Sequence, residues 1–245
     1  MFRRIFLTAV IAGILGGAAI SVVQHFTTTP IILHAETFEG DGHGSHGALN
    51  KGITLIPPAH AHGDKAAAGA GEGEAWGPRD GLERTMFTSL ANVLTAVGFA
   101  LILTACFAIS GRPVNGRTGV LWGLAGFAIV ALAPGLGLPP EVPGAKAAAL
   151  SDRQVWWFLC AALTAAGLWA MIFRTGAAWA IGGIVLIALP HLIGAPVPDR
   201  LGGSVPPELA AHFVAASLFT AAVFWCVTGW LAGTFWNRFS GNAGT

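Results

Sequence analysis

The sequence predicts an all-α polytopic membrane protein, and three observations lead to this fold class. Of its 245 residues, 54% are hydrophobic and only 10% are charged, whereas soluble domains carry about 25% charged residues. The apolar residues form continuous runs of about 20, the length that crosses a bilayer as a helix. The runs lack the period-two alternation of a transmembrane β-barrel. A water-soluble globule is excluded, because so few charges cannot cover its surface.

Six runs are predicted to cross the membrane, so that residues 1–245 form a single membrane domain. Hydropathy places these spans at about Ile5–Phe26, Met86–Ile109, Gly119–Leu138, Val155–Phe173, Ala177–Ala195 and Leu209–Phe235. The first run follows Arg3 and Arg4, so it also fits a cleaved signal peptide, which would leave five spans. Its length and the poor processing site around Ala18 favour an uncleaved helix.

The distribution of charge predicts the orientation. With the N-terminus in the cytoplasm, the inside segments contain no acidic residue and hold Arg3, Arg4, Arg112, Arg117, Arg174 and Arg238. Arginines in short cytoplasmic loops follow the positive-inside rule. Six spans then place both termini in the cytoplasm. The net charge of +1 provides no basic field, so a nucleic-acid partner is not expected.

The longest predicted loop is external and runs from about residue 27 to residue 84. Its middle, residues 40–77, is rich in Gly, Ala and His and has few large apolar residues, so we expect a largely mobile segment. It contains the pairs His43-x-x-His46 and His60-x-His62, with Asp41 and Asp64 nearby. These histidines either capture a metal ion or act as solvated spacers.

Three histidines are predicted to reach a similar height near the outer surface, each on a different span. His25 ends the first span, His191 lies about 14 residues into the fifth and His212 lies near the start of the sixth. Because a helix rises about 1.5 Å per residue, His191 falls within about 10 Å of the outer edge. Placing an ionisable side chain inside the membrane costs free energy, so a functional role is the first hypothesis for His191.

Carboxylates accompany these histidines. Glu208 precedes His212 by four residues, so both share one helix face, and His34 and Glu36 lie just above the first span. Imidazole with carboxylate suits Co²⁺, Ni²⁺, Cu²⁺ and Zn²⁺, whereas Mg²⁺ and Ca²⁺ prefer oxygen ligands alone. The candidate metal ligands are His25, His34, Glu36, His43, His46, His60, His62, His191, Glu208 and His212.

Each candidate also has a purely structural interpretation. His25 and His212 can extend their side chains to the membrane interface, and His191 can satisfy backbone freed by Pro190. The three cysteines, which are Cys106, Cys160 and Cys226, are interpreted as small apolar fillers. Gly13-x-x-x-Gly17 allows another backbone to approach the first span closely. A tightly packed bundle explains this motif better than a dimer interface does.

Several activities lack their sequence motifs. The chain has no Gly-x-x-x-x-Gly-Lys-Ser/Thr loop for ATP and no His-Glu-x-x-His for a zinc protease. It also has no Cys-x-x-Cys-His for c-type haem attachment. We therefore expect neither an enzyme nor a resident cofactor.

Short motifs along nearly the whole chain resemble one known family. They are the opening residues 1–9, Pro30–Leu33 with Ala35–Glu39, Leu138–Glu141 with Arg153–Trp157, Pro190–Pro196, and Pro207–Leu209 with Phe213–Ser217. In this order they resemble the cobalt transporter subunit CbtA family. The resemblance implies import of cobalt for cobalamin synthesis across a bacterial inner membrane. It also implies a partner, a small single-span CbtB-like subunit with a histidine-bearing tail. His212 departs from the family pattern.

The sequence therefore predicts a six-helix permease for a divalent metal ion, most plausibly Co²⁺, with Ni²⁺ and Zn²⁺ as alternatives. In this hypothesis the loop histidines capture the ion, and His34 and Glu36 pass it to a site around His191. A membrane-embedded haem or redox protein with His191 and His212 as axial ligands is the alternative. A scaffold that recruits a metal-handling partner is the third interpretation. The sequence leaves open whether the chain forms a homo-oligomer.

Overall fold

A computed structural model describes residues 1–40, 78–79, 81–199 and 202–240. Within these ranges the chain forms seven helices and no strand, apart from one isolated bridge between Ala145 and Gly203. The helices are α1 (Phe2–Phe26), α2 (Thr28–Gly40), α3 (Leu82–Ser110), α4 (Gly116–Gly137), α5 (Leu150–Phe173), α6 (Ala177–Ile193) and α7 (Pro207–Arg238). The chain is thus an all-α polytopic membrane protein, as its sequence predicts.

Each predicted span corresponds to a helix. Five helices, α1, α3, α4, α5 and α7, are long and apolar enough to cross a membrane. The sixth, α6, is also apolar but has only 17 residues, which is the lower limit of about 17 for a spanning helix. It ends at Ile193 because Gly194 adopts a φ of 91°, a left-handed backbone that glycine tolerates.

Both ends of the predicted external loop are helical, which corrects the expectation of a loop over residues 27–84. Helix α2 begins at Thr28, and α3 begins at Leu82, four residues before the predicted span. Pro30 does not prevent α2, since proline is tolerated in the first turn of a helix. The following residues Ile31, Ile32 and Ala35 are buried. The packing of this apolar face against other helices stabilises α2.

Helix α4 contains a short π-helical segment that the sequence does not predict. The segment covers Ala128–Leu132, and regular α-helix resumes at Ala133–Gly137. Pro134, the second residue after this segment, lacks the backbone N–H of a regular turn. A π-helical turn changes the direction of the residues that follow it, and those residues contact the start of α5 through Trp156, which packs against Gly137.

Glycine allows α1 to contact the backbone of α3. A Cβ atom at Gly13 would lie 2.5 Å from the backbone nitrogen of Val97, and one at Gly17 would lie 2.8 Å from that of Val93. Real Cβ atoms do not approach this closely, so both positions require glycine. The Gly13-x-x-x-Gly17 motif therefore joins two helices of the same chain, as the interpretation of a tightly packed bundle predicts.

A second glycine seam joins α4 to α7. A Cβ atom at Gly119 would lie 2.9 Å from the Cα atom of Gly233, and one at Gly229 would lie 2.9 Å from the Cα atom of Gly123. Each of these added atoms would also collide with a carbonyl oxygen of the opposite helix. In a bilayer, helix association depends on such close packing, since lipid tails are as apolar as the side chains.

Helices α5 and α6 form an antiparallel hairpin through the short turn at residues 174–176. Gly167 and Gly183 face each other across this hairpin, so that a Cβ atom at Gly167 would lie 2.6 Å from the Gly183 carbonyl oxygen. The two glycines lie at nearly equal distances from the turn, as residues that face each other in an antiparallel pair must.

The side chains of Gln24 and Asn92 link α1 and α3 inside the bundle. Each is only 3% exposed, and the Asn92 Nδ2 donates to Gln24 Oε1 at 2.6 Å and to Ser21 Oγ at 3.0 Å. Between α1 and α7, the hydroxyls of Thr27 and Thr220 are 3.0 Å apart. Polar contacts of this kind hold membrane helices in register.

The two ends of the bundle differ in charge. At the arginine end, which carries Arg4, Arg112 and Arg174, guanidinium groups lie over aromatic rings. Arg4 also donates to the Trp236 carbonyl oxygen at 2.7 Å. The acidic end is the opposite one, where α2, the first turns of α3, α5 and α7 and the last turn of α6 lie. The positive-inside rule predicts that the arginine end faces the cytoplasm.

Helix α2 covers part of the acidic end. Its residues Ile31, Ile32 and Ala35 form a buried cluster with Val142, from the α4–α5 connection, and Phe213 of α7. The α4–α5 and α6–α7 connections meet beside this cluster, where Lys146 N–H donates to the Gly202 carbonyl at 3.3 Å. The connections are therefore ordered by one another, and they fix the surroundings of the candidate ligands.

Candidate metal site

His191 lies in the last turn of α6, partly buried against α5. Its Nε2 is 3.9 Å from the Cys160 Sγ. Cys160 is completely buried and is a free cysteine. The sequence analysis treats Cys160 as an apolar filler, so the structure adds a second potential metal ligand that the analysis missed.

Trp156 holds this part of α6 in position. Its indole N–H donates to the Pro190 carbonyl oxygen at 3.2 Å, and its ring meets the His191 ring edge-on, with centroids 5.8 Å apart. Gly194 N–H donates to the same carbonyl at 3.1 Å. The Pro190 carbonyl is therefore hydrogen-bonded without the imidazole, and these two bonds hold the end of α6 to α5 and to the segment that follows.

A shallow, open groove lies next to this pair at the acidic end. It is lined by residues of α5 and of the segment after α6, including Asp152, Trp156, Leu159, Gly194 and Pro196. Asp152 is exposed in the first turn of α5 and places a carboxylate at the rim. The residues that line the groove include neither Cys160 nor His191.

Glu36, a predicted metal ligand, forms a bidentate ion pair with Arg84. The Arg84 Nη2 is 2.6 Å from Glu36 Oε1, and Nη1 is 3.2 Å from Oε2. Both side chains are about one-quarter exposed, at 26% for Glu36 and 24% for Arg84. Bidentate, charge-assisted pairs are among the stronger polar contacts in proteins, so a metal ion would have to displace Arg84 to bind Glu36.

Two histidines near the start of the chain contact only aromatic rings of their own helices among the described residues. The His25 ring lies edge-on to Phe26 at 5.3 Å, and the His34 ring is tilted over Phe38 at 5.4 Å. Both imidazoles are exposed. Both are therefore accessible, but neither belongs to a group of three or more His, Cys, Asp or Glu side chains in the described part of the chain.

Glu208 and His212 lie on successive turns of α7, as predicted, and both are exposed. Neither makes a hydrogen bond or an ion pair with another described residue. Across the same residues, no group of three or more His, Cys, Asp or Glu side chains lies close enough to hold one ion. The structure therefore does not bring His25, His191 and His212 together. The remaining candidates lie outside the described residues; they are His43, His46, His60 and His62.

A second ion pair lies in the α4–α5 connection. Glu141 Oε2 is 3.0 Å from Arg153 Nη2, and both side chains are partly buried. Burial raises the pKa of the Glu141 carboxyl, and the positive charge of Arg153 opposes this rise. Glu36 and Glu141 are therefore both paired to arginines. His191, Asp152 and Glu208 are potential metal ligands at the acidic end that form no ion pair with an arginine among the described residues.

Comparison with known proteins identifies a family. A family model described as "Probable cobalt transporter subunit (CbtA)" matches residues 2–237. Searches of curated proteins and of solved structures give no match. Because the family match covers nearly the whole chain, and the helices are those of a multi-pass membrane protein, this chain belongs to the CbtA family of cobalt transporter subunits.

Proposed function

We propose that this chain is the membrane-spanning subunit of an importer that carries Co²⁺ across a bacterial inner membrane and supplies cobalamin synthesis. The family match over residues 2–237 is the observation that carries the proposal. A small single-span subunit with a histidine-bearing tail is the proposed partner. The ion is the cargo, and the proposal requires no cofactor.

The proposed path begins at the acidic end and leads to His191. Its support is the chemistry of the exposed groups: Asp152 at the rim of the groove, and His191 behind it, partly accessible and beside Cys160. His25, His34, Glu208 and His212 are proposed as weaker, exposed contacts along the approach. Glu36 would take part only after release from Arg84. The loop histidines His43, His46, His60 and His62 are proposed to raise the local concentration of the ion.

Uptake of Co²⁺ by cells tests the proposal. Cells without their own cobalt importer, which express this chain and the small partner, should accumulate Co²⁺ above the level of cells with an empty vector. His191→Ala should lower uptake about tenfold or more, since losing even a supporting group of a metal site costs 10- to 100-fold. Cys226→Ser is the control, because Cys226 is a free, partly buried cysteine that has no place in the proposed path.

Two outcomes would contradict the proposal. Cells with both subunits that accumulate no more Co²⁺ than the vector control would exclude Co²⁺ import, and uptake unaffected by His191→Ala would remove His191 from the path.

Lower external pH should reduce uptake, because protons compete with metal ions for imidazole nitrogens. Parallel measurements with Ni²⁺ and Zn²⁺ determine which ion the subunit prefers.

A further inference from the structure

Cys160 and His191 have the separation of two ligands to one metal ion. An ion bound tetrahedrally, with bonds of about 2.3 Å to sulfur and about 2.0 Å to nitrogen, holds these atoms about 3.5 Å apart. The observed distance between Cys160 Sγ and His191 Nε2 is 3.9 Å. A small side-chain movement therefore allows both atoms to bind the same metal ion.

A third polar group points to the same place. Thr164 lies four residues after Cys160 on the same face of α5 and is 1% exposed. Its Oγ1 has no hydrogen-bond partner, the Cys160 sulfur included. Leaving a buried hydroxyl unsatisfied costs about 1–3 kcal/mol. The hydroxyl is therefore poised to donate to sulfur once the thiol loses its proton.

This environment distinguishes Thr164 and Cys160 from similar residues elsewhere. The hydroxyls of Thr8, Thr28 and Thr228 also lack partners, but none of these threonines follows a cysteine by one helical turn. Cys106 and Cys226 are free and partly buried, and neither makes a contact with a histidine within the described ranges. The combination of thiol, imidazole and buried hydroxyl occurs, among the described residues, where α5 meets the end of α6.

We propose that Cys160 and His191 form a transit site for Co²⁺ or a similar borderline divalent ion. As the ion binds, the Cys160 thiol transfers its proton to water and Sγ becomes a thiolate ligand. His191 binds through the Nε2 lone pair, and Thr164 donates its O–H to the thiolate. Water occupies the remaining positions. Two protein ligands hold the ion loosely enough for it to move on.

The proposal rests on the proposed function, because a transported ion must pass a site from which it can also leave. A sulfur and nitrogen ligand pair selects Co²⁺, Ni²⁺ and Zn²⁺ over Mg²⁺ and Ca²⁺, which take oxygen ligands. The groove past Asp152 and Trp156 offers the approach, and the hydrogen bond from Trp156 to Pro190 fixes the backbone that carries His191.

The test is a titration of the purified full-length chain with Co²⁺, in detergent and with a phosphine reductant that keeps thiols reduced. Thiolate ligation produces sulfur-to-cobalt charge-transfer absorption in the near ultraviolet. We expect this band in the natural chain and in the matched controls Cys106→Ser and Cys226→Ser. Cys160→Ser should abolish the band, and Thr164→Val should raise the Kd for Co²⁺ by about tenfold, the smaller effect of a supporting group.

His191→Gln keeps the test decisive if Cys160→Ser fails to fold, because His191 is partly exposed and glutamine preserves its polarity. This variant should weaken Co²⁺ binding by at least about tenfold while its elution profile and melting temperature stay unchanged. A charge-transfer band that persists in folded Cys160→Ser, or that disappears in Cys106→Ser, would overturn the assignment, as would unchanged affinity in His191→Gln.

Cellular uptake separates failure of the site from failure of the function. If the natural chain transports Co²⁺ and Cys160→Ser transports it equally well, the transit site is wrong and the proposed import stands. If Co²⁺ binds to Cys160 but cells with both subunits accumulate none, the import function is wrong and the binding site stands.

Discussion

Two regions of the bundle pack in the same way but arrange their polar groups differently. The first region consists of α1, α3, α4 and α7, and the second is the hairpin of α5 and α6. In both regions glycines bring helix backbones into contact, as Gly119 and Gly229 do between α4 and α7 and Gly167 and Gly183 do within the hairpin. Inside the first region, the buried amides of Gln24 and Asn92 are hydrogen-bonded to each other. Inside the hairpin, a thiol, an imidazole and a threonine hydroxyl meet without strong hydrogen bonds.

This difference separates an amide pair that holds two helices together from a thiol–imidazole contact that we propose as a metal site. A paired amide in a membrane interior is already satisfied and specifies which helices associate. A Cys–His contact at 3.9 Å gives little stabilisation by itself, since sulfur is a weak donor and a weak acceptor. The comparison therefore links the amide pair to helix association and the thiol–imidazole contact to the proposed binding of an ion. Unpaired hydroxyls do not distinguish the two regions, because Thr8 and Thr228 lack partners as Thr164 does.

The largest expected effect comes from disturbing a glycine seam. Gly229→Ala places a Cβ atom 2.9 Å from the Gly123 Cα and against the Gly119 carbonyl oxygen. Overpacking of this kind destabilises by about 1–3 kcal/mol, so the melting temperature in detergent should fall. Gly98→Ala is the matched control, since a Cβ there meets no atom within 4 Å. Equal melting temperatures for the two variants would contradict the backbone contact between α4 and α7.

A smaller effect is expected at the amide pair. Asn92→Leu removes the donor to Gln24 Oε1 and should destabilise the protein by about 0.6–1.7 kcal/mol, the range for interhelical hydrogen bonds in membranes. Adding Gln24→Leu removes the orphaned group as well, so the double variant should be more stable than the sum of the two single changes predicts. Thermal unfolding of all four proteins measures this difference. Strict additivity would show that the two amides are not coupled.

Hydropathy was sufficient to predict the spans, because a bilayer imposes both length and composition on every crossing helix. The glycine motif of α1 was also readable, since only a close backbone neighbour requires small residues at that spacing. Helix α2 was missed because its apolar face is short and becomes meaningful only against Phe213, far along the chain. Local sequence contains no sign of that partner.

The candidate site shows the same limit. Glu36 resembles a metal ligand in sequence, but the structure pairs it with Arg84, 48 residues away. Cys160 resembles an apolar filler, although one signal pointed to its partner: Cys160 lies 14 residues before Arg174, and His191 lies 15 residues after Gly176. Residues nearly equidistant from a hairpin turn face each other. Counting from the turn would have paired Cys160 with His191.

The smallest expected effect concerns Glu141, which belongs to neither region but to the connection that leads into α5. Burial raises the pKa of its carboxyl despite Arg153, so the folded protein binds a proton there more tightly than the unfolded chain does. Stability from this group is therefore present below the unfolded pKa and is lost as pH rises through the folded pKa. Glu141→Gln cannot ionise, so the natural chain should lose stability relative to this variant as pH increases from about 4.5 towards neutrality. Melting temperatures across that range measure the change, with Glu208→Gln at an exposed position as the control. A difference that stays constant with pH would show that Arg153 cancels the effect of burial on the pKa of Glu141, and one that grows towards acid in favour of Glu141→Gln would show that Arg153 dominates.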